Sequence, residues 1–127
     1  MKTISLVLGS GGARGYAHVG VIRALEERGY EIKGIAGCSM GALIGGFYAA
    51  GKLDDFEEWV STLSYLDVLK LVDLSLLSSG AIRGDKIFAL LSEMLGSVKI
   101  EQLKIPYTAV ATDLTNQKEV WFNSGPL

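Results

Sequence analysis

The chain has 127 residues, which corresponds to one domain at most. Its 12 Lys and Arg residues against 14 Asp and Glu residues give a net charge of −2, so it lacks the excess positive charge with which proteins bind a nucleic-acid backbone. Hydrophobic residues make up 49%, which excludes a disordered chain. One cysteine, Cys38, and one histidine, His18, exclude a disulfide framework and a structural zinc site, and favour a reducing, cytoplasmic environment.

Strands and helices are predicted to alternate in the first half of the chain. The hydrophobic patterns place strands at 2–8 and 31–37 and helices at 16–28 and 40–50. The first run is too short to be the core of a secretion signal. The uncharged stretch 34–51 reaches the lower limit for a membrane-spanning helix, but its six glycines favour a strand followed by a buried helix. This order predicts an α/β fold with a mainly parallel sheet.

The second half is predicted to contain two more helices and a hairpin. Apolar residues at helical spacing predict an amphipathic helix over 53–63, packed on the sheet. The apolar segment 66–79 lacks a clear period, and we expect a mobile, lipid-facing cover there, with an ordinary buried helix as the alternative. Gly80 and Gly84 predict a loop before a helix from about Asp85. Its predicted inward-facing residues are Ile87, Leu91, Met94 and Leu95.

A short hairpin is predicted to close the chain. Strands at 106–112 and 119–122 flank the turn-like residues 115–118. The final residues, 123–127, resemble a connection that leads onward. We therefore expect the fold to be incomplete at its C-terminus.

The segment Gly37-Cys38-Ser39-Met40-Gly41 matches Gly-x-Ser-x-Gly, in which a serine lies on a strained turn between a strand and a helix. Both elements are predicted here, and the helix dipole favours negative charge at Ser39. Ser39 is therefore predicted to be a nucleophile, with a tight turn and an inert serine as the alternative. Cys38 is interpreted as a small core residue.

A second glycine-rich segment, Gly9–Gly15, follows the first predicted strand and is called the glycine loop below. Its backbone N–H groups can converge on an anion at a helix start: a pyrophosphate, a nucleotide phosphate or a tetrahedral oxyanion. The pyrophosphate of a dinucleotide is disfavoured for two reasons. The Gly-x-Gly-x-x-Gly pattern that binds it needs glycine at position 14, which is Arg, and no acidic residue ends the second strand. A phosphate-loop-like stretch, 46–53, is interpreted as coincidence because Leu53 replaces the magnesium-binding Ser or Thr.

Four segments together resemble the patatin-like phospholipase family over essentially the whole chain. They are Gly11–Gly15, Ala17–Val21, Gly37–Gly41 and Ala111–Leu114. The resemblance implies a three-layer α/β/α fold with a mainly parallel sheet, lipid acyl hydrolysis by a Ser-Asp dyad, and no metal or other cofactor. It implies Ser39 as the nucleophile, Gly11, Gly12 and Arg14 at the oxyanion hole, and Gly9, Gly15, Gly37 and Gly41 as motif glycines. The Arg14 side chain would either steady the loop or meet a lipid phosphate.

The sequence departs from the family pattern at two places. Ser10 replaces the first of three glycines but keeps its backbone N–H. The family's dyad aspartate precedes a glycine, and none of the aspartates here does. We therefore expect residues 1–127 to be the N-terminal portion of the domain, without the dyad aspartate.

His18 shares a helix face with apolar residues, so a satisfied core histidine is favoured over a general base. For Asp113, turn capping is favoured over acid–base work.

The predicted function is a serine lipid acyl hydrolase that acts through an acyl-Ser39 intermediate. The alternatives are a truncated, inactive domain that binds lipid or a protein partner, and an acyltransferase with a Ser-His pair. We expect a lipid or other acyl ester as substrate, a cytoplasmic location with peripheral membrane contact, self-association through exposed apolar surface, and no binding of nucleic acid. The Ser39 hydroxyl should be accessible to solvent and close to backbone N–H groups of Gly11 or Gly12.

Overall fold

The computed structural model describes residues 2–63 and 81–127, without the side chains of 81–87. In these ranges the strands are β1 (Lys2–Leu8), β2 (Tyr30–Gly37), β3 (Tyr107–Asp113) and β4 (Lys118–Phe122). The α-helices are α1 (Ala17–Glu27), α2 (Met40–Ala49), α3 (Leu53–Ser61) and α4 (Ala81–Leu95). Short 3₁₀ helices cover Gly12–Tyr16 and Ile100–Gln102. The predicted alternation of strands and helices is confirmed.

The strands form one open, mainly parallel sheet in the order β1-β2-β3-β4. The first three strands are parallel, and β4 pairs antiparallel with β3 through the predicted hairpin. Leu8 pairs with Gly37, so the carboxyl ends of β1 and β2 meet at one edge of the sheet. In open α/β sheets this edge is where functional sites are placed.

A bulge in β2 sets which side chains face the core. Ile4 pairs with Ile32, but the next residue of β1, Ser5, pairs with Gly34, so the register skips Lys33. Because side chains alternate along a strand, the extra residue brings both Ile32 and Ile35 to the same face. Both are buried there, although their spacing of three does not match a regular strand.

The described helices cover one face of the sheet. A single buried cluster joins the two layers. It contains Leu8, Ile32, Ile35 and Tyr107 from the sheet, Val19 and Ile22 from α1, Ile44 and Phe47 from α2, Phe56 from α3, and Leu91 and Leu95 from α4. On the other face Val7 is 84% exposed, and Ser5 is exposed beside it. The described residues thus supply the sheet and one helical layer of the predicted three-layer fold.

Helix α3 reaches the core through α2, which corrects the prediction that it packs directly on the sheet. The ring centroids of Phe56 and Phe47 are 4.9 Å apart. Arg23 of α1 forms ion pairs with Asp54 and Glu57 of α3. These contacts bring α1, α2 and α3 together on one side of the sheet.

The region after α3 was predicted less accurately. Helix α4 begins at Ala81, so the loop predicted around Gly84 is wrong: this glycine lies inside the helix. Leu91 and Leu95 are buried as predicted, and Met94 packs against them. The predicted cover, 66–79, lies outside the described residues.

The uncharged stretch 34–51 is not a single helix. It comprises the end of β2, a turn and all of α2, as its glycines predict. Among the described residues, none of the helices combines the length and the apolar character needed to cross a membrane.

Tyr107 fastens β3 to α2, and its ionisation should make stability depend on pH. Its hydroxyl donates to the Ala42 carbonyl at 2.7 Å, and burial raises the pKa of Tyr107 to about 12. Because the unfolded chain titrates near pH 10, this stabilisation is fully present below pH 10 and is lost as the pH rises through 12. We expect a loss of about 1 kcal/mol by pH 11.

The measurement compares urea unfolding of the protein and its Tyr107→Phe variant at pH 8 and pH 11. The difference in unfolding free energy between the two proteins should shrink at pH 11. The other tyrosines ionise in both proteins, and Tyr107 ionises only in the wild type. An unchanged difference in unfolding free energy would show that the pKa of Tyr107 is ordinary.

Candidate active site

Ser39 lies in the turn between the end of β2 and the start of α2. Its backbone has φ 54° and ψ −123°, a conformation that costs a residue with a Cβ about 1–3 kcal/mol. Ser39 is exposed, as predicted, although it is followed directly by a largely buried helix. The helix α2 begins at Met40, so the positive end of its dipole lies beside the Ser39 side chain. A strained, exposed serine at this place matches the geometry of a nucleophile turn.

The glycines on either side of Ser39 are required by close backbone contacts. A Cβ at Gly37 would lie 2.5 Å from the Gly41 carbonyl oxygen, so the two ends of the turn touch. A Cβ at Gly41 would overlap the Leu8 carbonyl oxygen and lie 2.5 Å from that of Gly9. The spacing of the motif therefore reflects packing of the turn against itself and against the end of β1.

The glycine loop lies against the same turn. A Cβ at Gly15 would lie 2.7 Å from the Met40 Cβ, so the end of the loop touches the first residue of α2. The loop also needs glycine at two positions for its backbone shape, because Gly11 has φ 134° and Gly12 has φ 56°. Both glycine segments of the sequence thus meet at the carboxyl edge of β1 and β2.

The structure indicates which backbone N–H groups of the loop are engaged. The N–H of Arg14 and that of Gly15 donate to the Gly11 carbonyl at 3.1 and 3.3 Å. Gly12 and Ala13 open the 3₁₀ helix, and N–H groups in a first helical turn have no acceptor within the helix. Of the predicted oxyanion residues, Arg14 therefore retains only its exposed side chain for a ligand, while Ala13, which sequence reasoning missed, joins Gly12 as a candidate donor.

The sequence model of the patatin-like phospholipase family matches residues 6–125. This chain belongs to that family. It is 57% identical over 124 residues to an NTE family protein of Mycobacterium tuberculosis, covering 98% of this chain and 34% of the relative. It is 40% identical over 131 residues to a patatin-like phospholipase domain-containing protein of Caenorhabditis elegans, covering 99% of this chain and 10% of the relative.

A third relative has a name that states a reaction class. Neuropathy target esterase of Drosophila pseudoobscura is 36% identical over 119 residues, covering 90% of this chain and 8% of the relative. The chain therefore spans about a third or less of the length of the curated relatives it matches. The resemblance to the patatin-like phospholipase family predicted from the glycine motifs is confirmed.

His18 and Asp113 were the candidate bases in this patatin-like chain, and both have other partners. The His18 Nε2 atom lies 2.8 Å from the Gly9 carbonyl oxygen. The Asp113 carboxylate accepts hydrogen bonds from the backbone N–H of Thr115 and from the side-chain amide of Asn116. The Asn116 amide, together with the backbone N–H groups of the turn, lowers the pKa of Asp113, which makes it a weaker base. Asp113 thus caps the β3–β4 turn.

A cavity of about 370 Å³ lies away from the Ser39 turn, beside the amino end of β2. Its lining includes Glu26, Tyr30, Glu31, Ile32, Lys33, Tyr48, Lys104 and Ile105. Both carboxylates have partners within this lining, because Tyr48 donates to Glu26 and Lys33 pairs with Glu31. This cavity contains neither Ser39 nor a residue of the glycine loop in its lining.

Proposed function

We propose that this patatin-like protein is a serine lipid acyl hydrolase in which Ser39 is the nucleophile. The observation that carries the proposal is the exposed, strained Ser39 turn with the glycine loop packed against it. This arrangement supplies a reactive hydroxyl, a helix dipole and backbone N–H groups at one edge of the sheet. Lipid hydrolysis is supported by the family of the chain and by the esterase name of one relative.

The proposed reaction proceeds through an acyl-serine intermediate. The Ser39 oxygen attacks the ester carbonyl carbon and gives its proton to a base, and negative charge develops on the carbonyl oxygen. Backbone N–H groups of the glycine loop, from Gly11, Gly12 and Ala13, stabilise this oxyanion. The alcohol leaves with a proton, and water then cleaves the acyl-Ser39 ester to release the fatty acid.

The base is proposed to be an aspartate of the full-length protein outside residues 1–127. None of the aspartates in this chain precedes a glycine as the family's dyad aspartate does. Asp113 is held in its turn by Asn116, and the His18 ring is held by Gly9. Because its ring is held by Gly9, His18 does not supply the base that a Ser-His acyltransferase would require.

The proposed substrate is a phospholipid or related lipid ester, reached through peripheral contact with a membrane. The exposed Arg14 side chain lies in the glycine loop, where a guanidinium can pair with a lipid phosphate. The exposed Tyr16 directly follows the same loop in sequence, and an apolar side chain of this kind favours contact with lipid.

Covalent labelling of the full-length protein tests the proposal. A fluorophosphonate ester, which loses fluoride when an activated serine oxygen attacks phosphorus, should label one residue per chain. We expect mass spectrometry to place the label on the peptide that contains Ser39. Labelling should be absent in Ser39→Ala and unchanged in Ser61→Ala, whose exposed hydroxyl donates to the Glu58 carbonyl. Labelling that persists in Ser39→Ala would refute Ser39 as the nucleophile.

A further inference from the structure

The single histidine of the chain makes a hydrogen bond whose position in the site is informative. His18 lies in the first turn of α1, and its ring reaches back to Gly9, the first residue after β1. The Nε2 atom is 2.8 Å from the Gly9 carbonyl oxygen. Since a carbonyl oxygen only accepts, Nε2 carries the proton and donates it. This bond connects the first residue of the glycine loop to helix α1.

The Gly9 carbonyl is also a contact point for the nucleophile turn. The same oxygen lies 2.5 Å from the position a Cβ would take on Gly41, so His18 and the start of α2 meet the Gly9 peptide together. At the far end of the loop, Gly15 packs on Met40. Both ends of the loop therefore contact the residues next to Ser39. At the Gly9 end, the His18 side chain adds a hydrogen bond that holds the loop.

The loop needs such an attachment because its backbone is intrinsically mobile. Gly9, Gly11 and Gly12 have no side chains to pack, and glycine loses more conformational freedom on ordering than any other residue. An oxyanion donor is effective only when it is fixed in advance. A displacement of about 1 Å in a catalytic group costs about 100-fold in rate.

We propose that His18 is a positioning residue for the oxyanion donors: its Nε2–H holds the Gly9 carbonyl and thereby fixes the glycine loop against the Ser39 turn. The proposal rests on the proposed function, because it concerns the same reaction. It assigns to His18 neither contact with the substrate nor removal of the Ser39 proton.

The test uses the full-length protein and three substitutions of His18. His18→Gln keeps an N–H donor at a similar distance from the backbone, His18→Leu keeps bulk without a donor, and His18→Asn has a donor that is too short to reach Gly9. We expect kcat for a short-chain activated ester to fall about 100-fold in His18→Leu and His18→Asn, and to stay within about 5-fold of wild type in His18→Gln. KM should change little in all three, because the loop acts on the developing oxyanion.

A matched control separates positioning from general destabilisation. Ile22→Val shortens a fully buried side chain of the same helix and should lower the unfolding temperature while leaving kcat unchanged.

Failure of the positioning role and failure of the proposed function give different results. Loss of activity in His18→Leu with no rescue in His18→Gln, or unchanged kcat in both His18→Leu and His18→Asn, would overturn the positioning role. Full activity in Ser39→Ala would instead overturn the proposed function. If His18→Leu does not fold, the contrast between His18→Gln and His18→Asn decides.

Discussion

Replacing Ser39 by alanine should reduce kcat of the full-length protein for ester hydrolysis by about 10⁴-fold or more. The substitution removes the atom that forms the acyl-enzyme, and the remaining oxyanion donors provide only about 10³-fold acceleration over water. Folding should be unaffected, because alanine keeps the Cβ and therefore the same backbone strain at φ 54°. The measurement is steady-state hydrolysis of a short-chain activated ester, with Ser61→Ala as the exposed-serine control.

The strain at Ser39 adds a second signature that distinguishes a nucleophile turn from an ordinary one. Ser39→Gly also removes the hydroxyl, but glycine adopts a positive φ without the steric cost of a Cβ. We expect Ser39→Gly to be inactive and about 1 kcal/mol more stable than Ser39→Ala in denaturant unfolding. Equal stability of the two variants would show that the turn is unstrained, and activity near that of wild type in both would exclude Ser39 as the nucleophile.

The parts of the fold that follow from local pattern were predictable from the sequence. Strand β1 has the predicted bounds, because its apolar run stops directly before Gly9 and the glycine marks the end of the strand. The helix α2 starts at the predicted Met40, since Gly37 and Gly41 mark the turn before it. Glycine motifs carry this information because they record where two backbones come too close for a Cβ.

The errors arose where tertiary contacts override local preference. The bulge at Lys33 depends on the pairing of β2 with β1, although Gly34 inside the strand is a sequence signal for an irregularity there. The pair Gly80 and Gly84 predicts a loop, but Gly84 lies inside helix α4, where its neighbours outweigh the weak helix propensity of one glycine. Helix α3 has the apolar face predicted for it, but amphipathicity does not reveal whether the partner is the sheet or, as with Phe47, another helix.

At the candidate site, residue types were predictable and hydrogen-bond partners were not. The motifs identified Ser39 and the glycine loop directly. The pairing of Arg14 N–H with Gly11, which leaves Ala13 as a candidate donor, depends on the 3₁₀ turn. The contact of His18 with Gly9 spans nine residues. Its only sequence signal is a polar ring in the first turn of a helix that follows the glycine loop.

Residues 1–127 alone should hydrolyse esters at least about 10³-fold more slowly than the full-length protein. A serine hydroxyl is a poor nucleophile at neutral pH unless a positioned base removes its proton. The candidates within the described residues are engaged elsewhere, with His18 on Gly9 and Asp113 on Asn116. Asp113 would also be a poor base for the Ser39 proton. Its lowered pKa means that its carboxylate binds a proton more weakly than an ordinary aspartate does.

The isolated chain should also associate with itself, because it leaves apolar surface and a strand edge exposed. Trp121 is 63% and Phe122 51% exposed on the edge strand β4, and Val7 projects from the open face of the sheet. Such edges promote pairing between chains. The assay therefore needs a parallel check by circular dichroism and size-exclusion chromatography, so that a folded but inactive chain is distinguished from an aggregate.

The decisive comparison measures the 127-residue chain, the full-length protein and the Ser39→Ala form of each at equal concentration. If the proposal is right, only the full-length protein shows Ser39-dependent turnover, while the short chain stays near the rate of its own Ser39→Ala variant. Adding the remainder of the protein as a separate polypeptide should restore activity if it can supply the missing base. Full, Ser39-dependent turnover by the 127-residue chain would contradict the prediction, because the base would then lie within it. In that case Asp113→Asn and His18→Gln become the substitutions that identify it.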